Sequence, residues 1–178
     1  LLVFLNNLSP DALNSFWSFV TYTKHWIPVY FLFILLFFYK TKLQISLLRV
    51  TYLLAGVGVT HLITELTKAL VQRQRPEDNE LINDSLKILY EPTNFSFFSG
   101  HASTSLAASL IIYLLLKSKF KYVELVFIWP VLFSLSRIFV GVHYPSDIIV
   151  GAFVGSIIGI IFFKLCQLSE KKLVNVGK

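Results

Sequence analysis

Three cations, two histidines, a carboxylate and a glycine turn have the types and spacing needed to hold a tetrahedral oxyanion. Lys68 and Arg75 are seven residues apart, close to two helical turns, so both face one side if their helix runs on to a break at Pro76. Ser99-Gly100-His101 stands where an apolar run begins, and there the free N–H groups and the dipole of a new helix favour an anion. Arg137 closes another apolar run, and His143 follows with Asp147 four residues on. At an effective dielectric of about 20 and a separation of about 4 Å, each cation attracts a phosphate charge by roughly 4 kcal/mol before desolvation. Lys68, Arg75 and Arg137 together suit a phosphate monoester or diphosphate without help from a metal. No carboxylate cluster suits Mg²⁺ and no His/Cys set suits zinc, so neither metal nor cofactor is expected.

His61 and Glu65 lie four apart on the face that leads to Lys68. Their first reading is structural: Glu65 pairs with Lys68 or a nearby arginine, and His61 bonds within the bundle. Support behind the site, or selection of the substrate, is the alternative. Metal ligation would need a third ligand that the sequence does not offer.

The elements that must position these groups are apolar. Of 178 residues 55% are hydrophobic and only 15% charged, against about 25% charged in soluble domains. Seventeen Phe, eight Gly and the single cysteine Cys166 exclude a disordered chain, a collagen-like fibre and a disulfide scaffold. Five apolar runs stand out: Trp26 to Tyr39, Val50 to Thr64, Ala102 to Leu116, Leu125 to Val142 across Arg137, and Ile148 to Phe163. Each uninterrupted run is shorter than the roughly 20 residues of a spanning helix, so each borrows flanking residues or ends at polar groups below the membrane surface. Residues 1–25, with Pro10-Asp11 as a helix start and Phe16, Trp17, Phe19 and Tyr22 as anchors, read as an amphipathic interfacial helix, or else as a sixth span. They lack a basic stretch ahead of an apolar core and a small-residue cleavage site, so they are not expected to act as a secretory leader. The fold class is all-α: an integral membrane helical bundle of about five to six transmembrane helices, with residues 1–178 forming one domain.

A formal charge of +6 raises the question of nucleic acid, which the placement of the cations answers. Threading five spans puts ten of the sixteen cations on one side, Lys40, Arg49, Lys119 and Lys178 among them, with only Glu124 and Glu170 against them. Six cations and eight acids fall on the other side. The basic side is expected in the cytoplasm, so 72–98 and 141–147 face outward, and no nucleic-acid partner is implied. Within 77–98, Asp84 to Tyr90 reads equally well as a short roof helix or as plain loop. Gly151, Gly155 and Gly159 form a stripe that lets another helix approach closely, with Ala55, Gly56 and Gly58 as candidate partners. Packing inside one bundle is preferred to dimerisation, and the oligomeric state is left open.

The motifs also carry a resemblance. Lys68 to Pro76 matches K-x6-R-P, Phe98-Ser99-Gly100-His101 resembles P-S-G-H, and Ser136 to Asp147 matches S-R-x5-H-x3-D. In that order they resemble the type 2 phosphatidic acid phosphatase (PAP2) family, in its membrane branch. The resemblance implies that His143 attacks phosphorus to give a phosphohistidine, that Asp147 fixes its tautomer, and that His101 protonates the leaving oxygen and later activates water. Lys68, Arg75, Arg137, Ser99 and the Gly100 N–H would hold the phosphoryl oxygens. Phe98 replaces the motif proline, which adds a backbone donor and frees φ just before the turn. The implied activity is metal-independent hydrolysis of a lipid phosphate: undecaprenyl diphosphate, phosphatidylglycerol phosphate, phosphatidic acid or a lipid A phosphate. The implied place is a bacterial inner membrane, with membrane lipids around the chain and the site facing out. A lipid phosphotransferase would use the same intermediate, a vanadate haloperoxidase would share the constellation but be soluble, and a non-catalytic scaffold would not need it.

Overall fold

The computed structural model describes residues 1–176, so Lys178, counted above with the cytoplasmic cations, lies outside the described residues. Among the described residues seven α-helices follow one another: α1 Leu2–Asn7, α2 Asn14–Thr21, α3 Ile27–Phe38, α4 Leu43–Val71, α5 Gly100–Leu116, α6 Ile128–Phe139 and α7 Pro145–Val176. Among the described residues there are no strands.

Helix α5 is the hub, packed against α7, α4 and α6. Its sequence explains this. Ala102, Ser103, Ser105, Ala107, Ala108 and Ser109 are all buried, and such small side chains let neighbouring backbones come close. Their hydroxyls bond locally: Ser105 Oγ donates to the His101 carbonyl at 2.6 Å, and Thr104 Oγ1 to that of Gly100 at 2.6 Å. Neither hydroxyl is thereby left bare in an apolar setting. Below this small-residue layer, Ile111, Ile112 and Leu116 join Phe37, Trp129, Phe133 and Cys166 in the main core.

The glycine stripe of α7 lies against α5, not chiefly against the small residues of α4. A Cβ on Gly151 would meet the Ser99 carbonyl oxygen at 2.6 Å, one on Gly159 the Ala107 oxygen at 3.0 Å, and one on Gly155 the backbone of Ser103. Gly56 does face α7, through Phe162, whereas Gly58 has nothing near it. The stripe is thus occupied within the chain.

Helices α4 and α7 are long and apolar enough to cross a membrane; α2 and α3, flanked by 3₁₀ turns and bent by 71°, pass that test only as a pair. Helix α5 is a shorter apolar helix, and α6 has 12 residues behind a 3₁₀ turn at Val123–Phe127. All five predicted runs are helical, but only two are spans by their own length. The shortfall arises where chain is given over to site groups: α5 starts at Gly100, and α6 ends two residues past Arg137.

The N-terminal segment is not one helix. Leu8 to Pro10 and Tyr22 divide it, and its pieces pack on α6. Trp17 stacks on Phe139 at 4.4 Å, and buried Asn6 donates to the Ile138 carbonyl at 2.8 Å while accepting from Lys87 N–H at 2.7 Å. Helix α4 also stops short of Pro76. Gln72 caps it in a left-handed conformation (φ 49°), its N–H returning to the Lys68 carbonyl at 2.9 Å. Within 77–98 only the single turns Pro76–Asp78 and Asn83–Ser85 are helical, so the roof is loop. At the opposite end, Arg49 pairs with Glu170 at 2.6 Å and Lys119 donates to the Lys40 carbonyl at 3.2 Å, so these three of the predicted cytoplasmic cations lie at one end.

Candidate active site

The turn Val140 to Tyr144 delivers His143 between α6 and α7. Gly141 allows the turn: its φ is +83°, and a Cβ there would lie 2.7 Å from the Lys87 carbonyl oxygen. Asp147, in the first turn of α7, reaches back to accept the Tyr144 N–H at 3.0 Å, in the manner of a capping-box carboxylate. The same oxygen, Oδ2, faces His143 Nδ1 at 3.3 Å. Asp147 is therefore both helix cap and histidine partner.

The other ring nitrogen, Nε2, lies 3.5 Å from Arg75 Nη1. A guanidinium can only donate, so Nε2 offers its lone pair and the ring proton sits on Nδ1, toward Asp147. Burial pushes the His143 pKa down to about 3, with only partial offset from its bond to Asp147. The ring is thus neutral and nucleophilic at ordinary pH.

His101, at the start of α5, is arranged the other way. Its Nε2 meets the Thr21 carbonyl at 3.0 Å, an oxygen that can only accept, so Nε2 carries a proton and Nδ1 is the nitrogen free to exchange one. Phe133 packs against the ring, centroids 4.1 Å apart.

Lys68, Arg75, Arg137 and His143 are 6%, 2%, 2% and 2% exposed, and all line one cavity of about 540 Å³ with Gly100 and His101. Cations buried this deeply are costly unless an anion meets them. Arg75 is held by the Val142 carbonyl (2.7 Å) and Asn94 Oδ1 (2.6 Å), and Lys68 by Glu65 (3.0 Å). Arg137 donates to Thr21 Oγ1 and lies 5.1 Å from the Tyr90 ring, but among the described residues its Nε has no partner. A phosphoryl oxygen would supply one.

The structure thus brings together Lys68, Arg75, Gly100, His101, Arg137 and His143, with Glu65 and His61 on the same cavity wall. Ser99 is different. Its hydroxyl caps α5, accepting from Ala102 N–H at 3.4 Å, and it does not line the cavity; its own N–H goes to the Asp147 carbonyl at 3.0 Å. Among the described residues no group of three or more His, Cys, Asp or Glu side chains converges on a metal position.

Four contributors escape the sequence reading. Ser96 Oγ donates to Asp147 Oδ2, and Arg73 Nη1 donates to Oδ1 at 2.7 Å while stacking 4.0 Å from the Tyr144 ring. Asn94 steadies Arg75, and Thr21, from the N-terminal segment, touches both His101 and Arg137. Arg73 was visible as a cation two residues before Arg75; nothing marked the other three.

The decaprenylphosphoryl-5-phosphoribose phosphatase of Mycobacterium tuberculosis is 38% identical over 115 residues, 64% of this chain and 60% of that protein. This chain therefore matches less than two thirds of that relative's length. The lipid A 4'-phosphatase of Porphyromonas gingivalis is 27% identical over 176 residues, 97% of this chain and 74% of that protein. The crystal structure of Aquifex aeolicus LpxE has the same fold, with a TM-score of 0.69 at 22% identity over 92% of each chain. The family model described as the PAP2 superfamily matches residues 49–171, a range that includes all the sequence-predicted site residues, and the chain is an integral membrane member of that superfamily.

Proposed function

We propose that this protein is a membrane lipid phosphatase that works through a phosphohistidine. The carrying observation is the set of three buried cations around a neutral His143 whose Nε2 lone pair faces the cavity beside Arg75 and whose Nδ1 faces Asp147. In the first step Nε2 attacks phosphorus, the bond to the lipid oxygen breaks, and His101, entering as the imidazolium with its second proton on Nδ1, gives that proton to the oxygen and becomes neutral. Asp147 balances the charge that grows on the imidazole. In the second step His101 takes a proton from water as its oxygen attacks phosphorus; the N–P bond breaks and inorganic phosphate leaves. Lys68, Arg75, Arg137 and the Gly100 N–H hold the three non-bridging oxygens throughout, and Ser99 supports that turn from behind.

The cavity continues from these groups along Val57, Leu54 and Phe33, an apolar wall of α3 and α4 that suits a lipid tail. The relatives' names speak of a decaprenylphosphoryl-5-phosphoribose in one case and of the 4'-phosphate of lipid A in the other, which supports a lipid phosphate as substrate, with undecaprenyl diphosphate, phosphatidylglycerol phosphate and phosphatidic acid as the wider set. Phosphate release from such a panel by the detergent-solubilised protein is expected to persist in EDTA, with acid-labile phosphate trapped on the protein during turnover. Loss of turnover in EDTA overturns the metal-free chemistry, and lipid-bound transfer without free phosphate shows a transferase.

The cation distribution supports a site on the outer face of a bacterial inner membrane. An Asp84→Cys variant is expected to react with an impermeant thiol reagent in intact cells, against low background from buried Cys166. Labelling only after lysis would reverse the orientation.

A further inference from the structure

Helix α4 grades the cavity wall by depth. Lys68 is at the phosphate clamp, Glu65 and His61 come next, and Val57, Leu54 and Leu53 follow; all six line the cavity. At about 1.5 Å per residue, the polar step from Lys68 to His61 is roughly 10 Å deep. A bare alkyl or polyprenyl phosphate would place hydrocarbon beside this step, leaving its polar groups against apolar chain.

Glu65 sharpens the point. Its Oε1 is 3.0 Å from Lys68 Nζ, and its side chain is 42% exposed where that of Lys68 is 8%. A phosphoryl oxygen taken by Lys68 is therefore brought close to a carboxylate, and the two repel unless a donor stands between them. A hydroxyl next to the phosphate ester meets that need by donating to Glu65 while the phosphate takes Lys68. The second phosphate of a diphosphate offers only acceptors at the same place. We infer that Glu65, with His61 below it, selects a phosphate monoester carried on a hydroxyl-bearing headgroup, a sugar or glycerol unit, over a lipid diphosphate. The inference rests on the phosphatase reading and narrows its substrate.

Matched probes test it: dodecyl glucoside 6-phosphate, dodecyl phosphate and dodecyl diphosphate in mixed micelles. The wild type should turn over the glucoside phosphate with a kcat/KM about tenfold or more above the diphosphate, as expected for one hydrogen bond to a charged group. Glu65→Gln, close in shape but uncharged, should lose about tenfold on the glucoside phosphate and gain on the diphosphate, so that the ratio collapses. An equal loss on both substrates would make Glu65 only a support for Lys68 and overturn the inference, as would a wild-type preference for diphosphate. Comparing the glucoside phosphate with a cyclohexylmethyl phosphate of equal chain but no hydroxyls reads the same contribution without any variant, and equal rates there also overturn it. No phosphate from any probe defeats the phosphatase reading itself, a result distinct from turnover without discrimination.

Discussion

His143→Ala is expected to lower phosphate release by about 10⁴-fold or more, with KM changed little. The size of the effect follows from the site having no substitute nucleophile. His101 has one nitrogen committed to the Thr21 carbonyl, and Asp147 is held behind His143 rather than at the cavity. The small change in KM follows because Lys68, Arg75 and Arg137 stay in place to bind the phosphate. The variant should also fold. Without the imidazole, Asp147 still accepts from Ser96, from Arg73 at 2.7 Å and from the Tyr144 N–H at 3.0 Å, so no bare buried carboxylate results. A monodisperse variant that binds a lipid phosphate, releases none and traps no acid-labile phosphate is the predicted result. Release at the wild-type rate would remove His143 from the mechanism. His101→Ala should cost less, about 10² to 10⁴-fold, because it removes proton transfer rather than the covalent route.

The convergence of these groups was legible in the sequence because they sit in three short stretches, each carried on one element or turn. Spacing within a helix or tight turn fixes geometry, so Arg137, His143 and Asp147 could be placed together from the text alone. What stayed hidden depends on chain segments meeting across the fold. Thr21 is 116 residues from Arg137, and its value to the site comes from α2 packing on α6, which periodicity cannot show. Ser96 looked like one more loop serine until Asp147 was found beside it. Helix ends were also hard to read. The left-handed cap falls on Gln72, a residue type that gives no stop signal, so Pro76 is the first break the sequence shows. The shortness of the runs was legible, and its cause at α5 and α6 is now visible: α5 starts at Gly100 and α6 ends two residues past Arg137.

The glycine stripe supplies the second large effect, this time on stability. Gly155→Val is expected to destabilise the bundle by about 3 kcal/mol and to cut turnover by about 100-fold in whatever protein still folds. A Cβ at Gly155 would lie against the backbone oxygen, carbon and Cα of Ser103, atoms that cannot rotate away. Only a shift of α5 can make room. That helix is fixed on its other side by Ile111 against Gly56 and by the Thr64 to Ser103 hydroxyl contact at 3.1 Å, so the shift disturbs α4 as well. It also moves Gly100 and His101, one turn above Ser103, away from Lys68 and His143. Activity should therefore fall even where the protein is stable enough to purify. Gly58→Val is the matched control: nothing lies within 4 Å of its added Cβ, and it should be nearly neutral in both thermal unfolding and turnover. The pair also separates two uses of a glycine stripe. A seam between two copies of the chain would make Gly155→Val a stable, active monomer, whereas a seam inside the bundle makes it an unstable and poorly active one. The contact of Gly155 with Ser103 commits the stripe to the second.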